Sequence, residues 1–250
     1  MNSENTRRAF LCASATVGTG LFLSACARSD GTQSEKQAGE SGAKKEEEES
    51  GEVTATEDLM REHGILRRAL LVYSAAANKL RTDPAAVPNE GLQKTAKLFR
   101  AFGEEYHEKK LEEAYIFPAV KKAGGPPAAY ADILVAQHTR GREITDYILS
   151  ITQGAKLGAA NAEPLARALE SMVLMYRHHT AREDTIVFPA WKKTLSGKEY
   201  EEMGERFEEI EHQQFGEDGF ETAVKQIGEI EGMLNMTDIS QFTAPPPPKA

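Results

Sequence analysis

The segment Tyr106 to Lys122, YHEKKLEEAYIFPAVKK, returns 71 residues later as Arg177 to Lys193, RHHTAREDTIVFPAWKK. His107 falls on His178, Glu112 on Glu183 and Phe117-Pro118 on Phe188-Pro189, with an alanine and a lysine pair following both times. A string that repeats its histidine, its acid and its Phe-Pro together reads as one structural device used twice. Imidazole and carboxylate on one helical segment are what a metal ion asks for.

Composition narrows what the device belongs to. With 250 residues, 40% of them apolar and 28% charged, the chain has material for one good-sized core. A formal net charge of −9 argues against a nucleic-acid binder, which needs a basic face. Both cysteines, Cys12 and Cys26, lie in the first tenth of the chain. The folded part therefore has no disulfide, no thiolate metal ligand and no cysteine nucleophile.

Residues 1–26 read as an address. Thr6-Arg7-Arg8-Ala9-Phe10-Leu11 resembles a twin-arginine export signal, a weakly apolar run follows to Leu23, and Leu23-Ser24-Ala25-Cys26 resembles the lipobox of bacterial lipoproteins. The resemblance implies cleavage before Cys26, lipidation of its thiol and a mature protein anchored to a bacterial membrane, periplasmic or at the cell surface. A cytoplasmic protein with a chance apolar start is the alternative. Twin-arginine export carries folded proteins, which favours metal loading before export. Residues 27–53, including Lys44-Lys45-Glu46-Glu47-Glu48-Glu49, hold nothing able to anchor a core and read as a disordered tether. Residues 237–250, with Pro245 to Pro248, read as an extended tail.

Between these ends the pattern is helical throughout, so the fold class expected is all-α. Thr54 and Glu57 form a capping box for a first helix running to about Leu80, with the stripe Leu59, His63, Leu66, Leu70, Tyr73, Ala77, Leu80. A second helix runs from about Glu90 to Lys122 and stops at Gly124-Gly125-Pro126-Pro127. A third, about Ala128 to Thr152, carries Ala131, Leu134, His138, Gly141, Thr145 and Ile148. A fourth begins near Pro164 and carries Leu165, Leu169, Met172, Tyr176, His179, Glu183 and Ile186 to about Leu195. These four should pack as an antiparallel up-down-up-down bundle over residues 54–195. Further helices, capped by Ser196 and Glu199 and interrupted at Phe215-Gly216, occupy 196–236.

In such a bundle the starts of helices one and three meet the finishes of helices two and four. At about 1.5 Å per residue, His63, His107, Glu112, His138, His179 and Glu183 fall within about one or two turns of one level. Any one of these histidines alone reads as a core histidine satisfied by a neighbour. Four together, at matching depth, do not, since each buried polar group left unpaired costs on the order of 1 to 3 kcal/mol.

Glu62-His63-Gly64, the run Tyr106 to Glu113, Gln137-His138 and the run His179 to Asp184 together resemble the hemerythrin-like, or HHE cation-binding, family over roughly residues 57–193. The resemblance implies a four-helix bundle holding a non-haem iron pair through histidines and carboxylates of all four helices. Imidazoles would be terminal ligands and the carboxylates bridges; manganese or zinc remain open as alternatives to iron. His179 and Glu183 are four apart and about 40° apart on the helix surface. His107 and Glu112 are five apart, and a π-bulge between them would reconcile the two copies. Glu108 then becomes an additional or bridging ligand candidate, while His178 sits one step off the stripe as a flank residue. Pro118 and Pro189 should bend their helices.

The chain departs from the oxygen-carrying members, which place two histidines four apart on the third helix. Here Arg142 follows His138 at that spacing, so one nitrogen ligand is missing. Two classes of function follow. A binding module would sense, store or scavenge oxygen, nitric oxide, peroxide or iron; a di-iron oxidoreductase would act as peroxidase, nitric oxide reductase or ferroxidase. A second metal reading, a ferritin-like carboxylate bundle, rests on Glu104-x-x-His107 and Glu209-x-x-His212. It leaves His63, His138 and His179 without a use.

Overall fold

The first helix, α1 (Ala55–Thr82), starts on the capping box: the Thr54 side chain accepts from the Glu57 N–H, and the Glu57 carboxylate accepts from the Thr54 N–H at 2.9 Å. Two orphan donors of the first turn are thereby satisfied. Every residue of the expected stripe from Leu59 to Leu80 is buried, His63 included. The coordinates are those of a computed structural model that describes residues 53–154, 157–216 and 218–248. The stretch read as an export signal, Cys26 and nearly all of the stretch read as a tether lie outside the described residues.

The second rod is three helices laid end to end: α2 (Asn89–Leu98), the π-helix π1 (Phe99–Ile116) and α3 (Phe117–Ala123). The junction residues Leu98, Phe99, Ile116 and Phe117 all keep right-handed helical backbone, so the rod is continuous. It ends at Gly124, where φ is 75°, a conformation that costs glycine nothing. The next helix, α4 (Gly125–Ile151), starts earlier than the expected Ala128. Pro126 and Pro127 occupy its first turn, where no N–H is needed and the fixed φ suits a helix. Its buried face is Ala131, Leu134, His138, Gly141, Thr145 and Ile148, as the stripe predicts.

The fourth rod repeats the second: α5 (Ala162–Arg182), the short π-helix π2 (Glu183–Val187) and α6 (Phe188–Lys192). One expected core position moves. Ile186 is only half-buried and Val187 is buried in its place, because the π-turn after Glu183 advances the phase by one residue.

Two more helices, α7 (Gly197–Phe215) and α8 (Gly219–Met233), are laid against this core. α7 has its own capping box, Ser196 with Glu199, and ends at Gly216 in left-handed backbone with φ 81°. Phe215 packs on Phe102 and on Tyr106 with ring centroids 6.0 and 5.3 Å apart, and Phe207 stacks on Trp191 at 5.6 Å. Arg68 of α1 reaches Glu231 of α8 through two hydrogen bonds, Nε to Oε1 and Nη2 to Oε2. All regular structure among the described residues is helical, and from Thr54 onward they form a helical bundle.

Candidate metal centre

The buried stripes of α1, π1, α4 and α5 bring four imidazoles together in two pairs. His63 and His107 face each other Nε2 to Nε2 at 3.0 Å, and His138 and His179 do the same at 3.0 Å. Two carboxylates reach across both pairs. Glu112 Oε1 lies 3.3 Å from His107 Nε2 and 4.0 Å from His63 Nε2, while its Oε2 lies 3.3 Å from His138 Nε2. Glu183 Oε2 lies 3.5 Å from His63 Nε2, and its Oε1 lies 2.9 Å from His179 Nε2. All six side chains are essentially excluded from solvent.

The winding of the two rods explains how both carboxylates arrive. In each copy the phenylalanine before the proline donates its N–H to the carbonyl five residues back, Phe117 to Glu112 and Phe188 to Glu183. A π-turn therefore precedes each Phe-Pro, and it separates the proline ring from the carbonyl an α-helix would press against it. In π1 the wider winding extends upstream through His107, so histidine and acid five apart share one face. In the second rod His179 is still on α5 and Glu183 opens π2, so a four-residue spacing serves.

Every imidazole is aimed by an acceptor on its other nitrogen. His63 Nδ1 donates to Asp184 at 2.7 Å, His107 to Glu62 at 2.6 Å, His138 to Glu113 at 2.9 Å and His179 to the Gln137 amide oxygen at 2.9 Å. This fixes the tautomer that leaves Nε2 as a ligand lone pair. Phe188 stacks on His63 and Phe117 on His138, with centroids 5.3 and 5.6 Å apart, so the repeated phenylalanine is the wall of the opposite histidine.

The electrostatics call for positive charge. Burial opposes charge on His107, but Glu112 and Glu62 outweigh it and hold the imidazolium well above the ordinary histidine range. His138 is pushed up to about 10, burial again being outweighed, here by Glu108, Glu112 and Glu113. Burial would raise the Glu112 carboxyl, yet His107 and His138 hold it well below the usual carboxylate range. Both oxygens of Glu112 and both of Glu183 nevertheless lack a hydrogen bond of acceptable geometry. Donor separations of 2.9–4.0 Å are those of groups sitting roughly 2.0–2.2 Å from a shared ion. The residues present thus fit a metal cation: Glu112, His138, His179 and Glu183 turn one donor atom each to one place, and His63, His107 and Glu112 do so beside it.

Of the residues expected from sequence, His63, His107, Glu112, His138, His179 and Glu183 meet here. Glu108 does not join the Nε2 cluster: Tyr176 Oη donates to its Oε1 at 2.7 Å and Arg142 Nη2 to its Oε2 at 3.2 Å, on the outer side of His138. Arg142 also donates to Glu113 at 2.7 Å, so it binds two acids instead of supplying a ligand. His178 is exposed beside Arg182. The ferritin-like pairs fare differently. Glu209 and His212 are exposed on α7, and Glu104 is held by Thr145 and Arg100 at 2.5 and 2.6 Å, its carboxyl pushed up to about 7, chiefly by burial. The four acceptors behind the histidines escaped sequence reasoning. Their signal was adjacency, since each neighbours a ligand in sequence while serving a histidine on another helix: Glu62 before His63, Glu113 after Glu112, Gln137 before His138, Asp184 after Glu183.

The family described as hemerythrin HHE cation binding domain matches residues 54–191. Uncharacterized proteins of Mycobacterium tuberculosis and Mycobacterium bovis are each 40% identical over 241 residues, covering 95% of this chain and 90% of theirs. No solved structure matches.

Proposed function

The chain belongs to the hemerythrin HHE cation-binding domain family, and we propose that it carries a non-haem di-iron centre that binds oxygen, nitric oxide or peroxide outside the cytoplasmic membrane. In this reading α1, the second rod, α4 and the fourth rod are an antiparallel four-helix bundle, with α7 and α8 as an addition. The observation that carries it is the pair of buried carboxylates, each spanning two histidine pairs with oxygens that no protein hydrogen bond satisfies.

Iron held by these histidines and carboxylates would supply redox chemistry and a place for a small ligand. The chain supplies the rest. With an ion bound, His63, His107, His138 and His179 would turn Nε2 to it while Asp184, Glu62, Glu113 and Gln137 hold the Nδ1 protons. Glu112 and Glu183 fix the spacing between the two positions. Phe117 and Phe188 keep bulk water from the imidazoles, and Tyr106 Oη donates to Glu62 at 2.9 Å to hold it against His107.

Location rests on the lipobox-like Leu23-Ser24-Ala25-Cys26, with lipid on Cys26 as the anchor. Among the described residues no helix is long and apolar enough to cross a membrane. The test is metal analysis with an ultraviolet-visible spectrum on the full chain and on a His63→Ala, His179→Ala double variant. About two irons per chain, with near-ultraviolet bands lost in the variant, are expected. No stoichiometric metal after anaerobic ferrous reconstitution overturns the reading. Adding oxygen to the reduced protein then separates the classes: a reversible spectral change marks a carrier or sensor, an irreversible one an oxidoreductase.

A further inference from the structure

We infer that the two metal positions are inequivalent: His63 and His107 form the tight, first-filled position, and His138 and His179 form the exchangeable one. The inference rests on the di-iron reading and adds an order to it.

Three of the four backing contacts offer carboxylates, and two of these match across the centre. Asp184 behind His63 is paired with Arg67, and Glu113 behind His138 is paired with Arg142. Their effects on the two positions are alike. The remaining two differ in kind. His107 Nδ1 donates to a carboxylate, Glu62, at 2.6 Å; His179 Nδ1 donates to an amide oxygen, Gln137, at 2.9 Å. A charged acceptor makes a hydrogen bond roughly twice as strong as a neutral one. It draws the Nδ1 proton outward and makes Nε2 the more basic ligand.

Surroundings widen the gap. Glu62 is only 1% exposed, whereas Gln137 is half-buried, so the contact to His107 acts in a drier and less screened place. Carboxylate oxygens of Asp58 and Glu211 lie within 4.8 Å of one on Glu62, with Arg61 3.7 Å from Asp58. Behind His138 the buried Glu108 and the half-buried Glu113 share the guanidinium of Arg142. Glu211 belongs to α7, and Phe215 of the same helix packs on Tyr106, the donor to Glu62. The helices beyond the repeated pair of rods thus build the wall of one position and leave the other without an equivalent.

The experiment loads the full chain with ferrous ion anaerobically, adds an excess ferrous chelator and follows release by the absorbance of the chelate. The wild-type chain should release iron in two phases of equal amplitude, about tenfold or more apart in rate. Glu62→Gln should accelerate the slow phase about 10–100-fold, the usual cost of altering a ligand's hydrogen-bond partner. Gln137→Glu should slow the fast phase toward the other. Gln137 is half-buried, so this variant keeps the question decidable if Glu62→Gln fails to fold. Two ions leaving in one phase, or Glu62→Gln acting on the fast phase alone, overturn the inference while the di-iron centre stands. A chain that retains no iron overturns the centre itself and this inference with it.

Discussion

The second and fourth rods deliver the same set, a histidine, a carboxylate and a Phe-Pro, from different spacings. His107 and Glu112 are five apart on a long π-helix; His179 and Glu183 are four apart across an α-to-π junction. Counting residues back from Phe-Pro puts Glu108, not His107, in the place of His179. The structure resolves the mismatch with winding, not with a change of ligand. One arrangement of donor atoms has been met by retuning the helix around one extra residue, which ties the site to the helix type and not to a sequence interval.

The sharpest way to break that comparison is to remove the extra residue. Deleting Lys109, which is exposed and pairs with Glu105 at 3.2 Å, would give the first copy the four-residue spacing of the second. If winding and spacing are matched rod by rod, the deletion turns everything on one side of it by about 100°. Either Phe99, Phe102 and Tyr106 or Leu111, Glu112 and Phe117 then leave the core. Expected results are loss of stoichiometric metal and a stability loss of about 4 kcal/mol or more, a melting temperature lower by roughly 8–16 °C. A variant that keeps metal and melts like the parent would show that the π-helix is incidental.

Next in size is the carboxylate that both histidine pairs share. Glu112→Ala takes from His107 and His138 one of the charges that hold their pKa values up, beside Glu62 for the first and Glu108 and Glu113 for the second, so the metal-free protein should lose about 3–5 kcal/mol in denaturant titration near neutral pH. Both ions should be lost together, since each oxygen faces a different pair. Retention of one ion would mean that Glu112 does not bridge.

How much of this was legible follows from the same contrast. Stripes at three- and four-residue steps placed the core of α4 residue for residue, because ordinary α-winding has one phase throughout; on α1 every stripe residue is buried, but the buried face is wider and also takes in Ile65, Ala69, Val72 and Ala76. They missed Val187 and overvalued Ile186, because the π-turn after Glu183 changes the phase and no composition signal marks it. The six central donors were readable as polar residues on apolar stripes. Their backing residues were not, since Glu62 and Gln137 serve histidines on other helices, and that pairing exists only after packing. Glu108 shows the converse. A buried acid beside a ligand histidine has the look of a ligand, but Arg142 and Tyr176 take both of its oxygens.

Protons probe both halves at intermediate size. In the metal-free protein the raised value of His138 contributes stability that is fully present below the unfolded value of about 6.5 and is lost as pH rises through about 10. Metal binding has the opposite dependence, because the ion replaces the proton. Ferrous affinity should therefore tighten by about tenfold per pH unit for each proton released between about pH 6.5 and 9, with proton uptake into buffer confirming the count by calorimetry. An affinity flat across that range would show that the histidines are already neutral without metal.

The smallest effects separate the halves through two glycines on histidine-bearing helices. At Gly141, one turn after His138, an added Cβ would meet Tyr176 Oη at 2.1 Å and Cζ at 2.9 Å, so the bare backbone is what admits the phenol to Glu108. Gly141→Ala should cost roughly 1–3 kcal/mol through overpacking and displace Tyr176. At Gly64, beside His63, nothing lies within 4 Å of the same atom. The helix there gains propensity and loses no contact, so Gly64→Ala should stabilise by up to about 1 kcal/mol with metal content unchanged. Opposite signs in thermal melts of the two variants would fix the close approach of Tyr176 as a property of the His138 side alone. A destabilised Gly64→Ala protein would instead mean that the chain next to His63 needs freedom to close around its ion, and the two halves would then differ in motion as well as in hydrogen bonding.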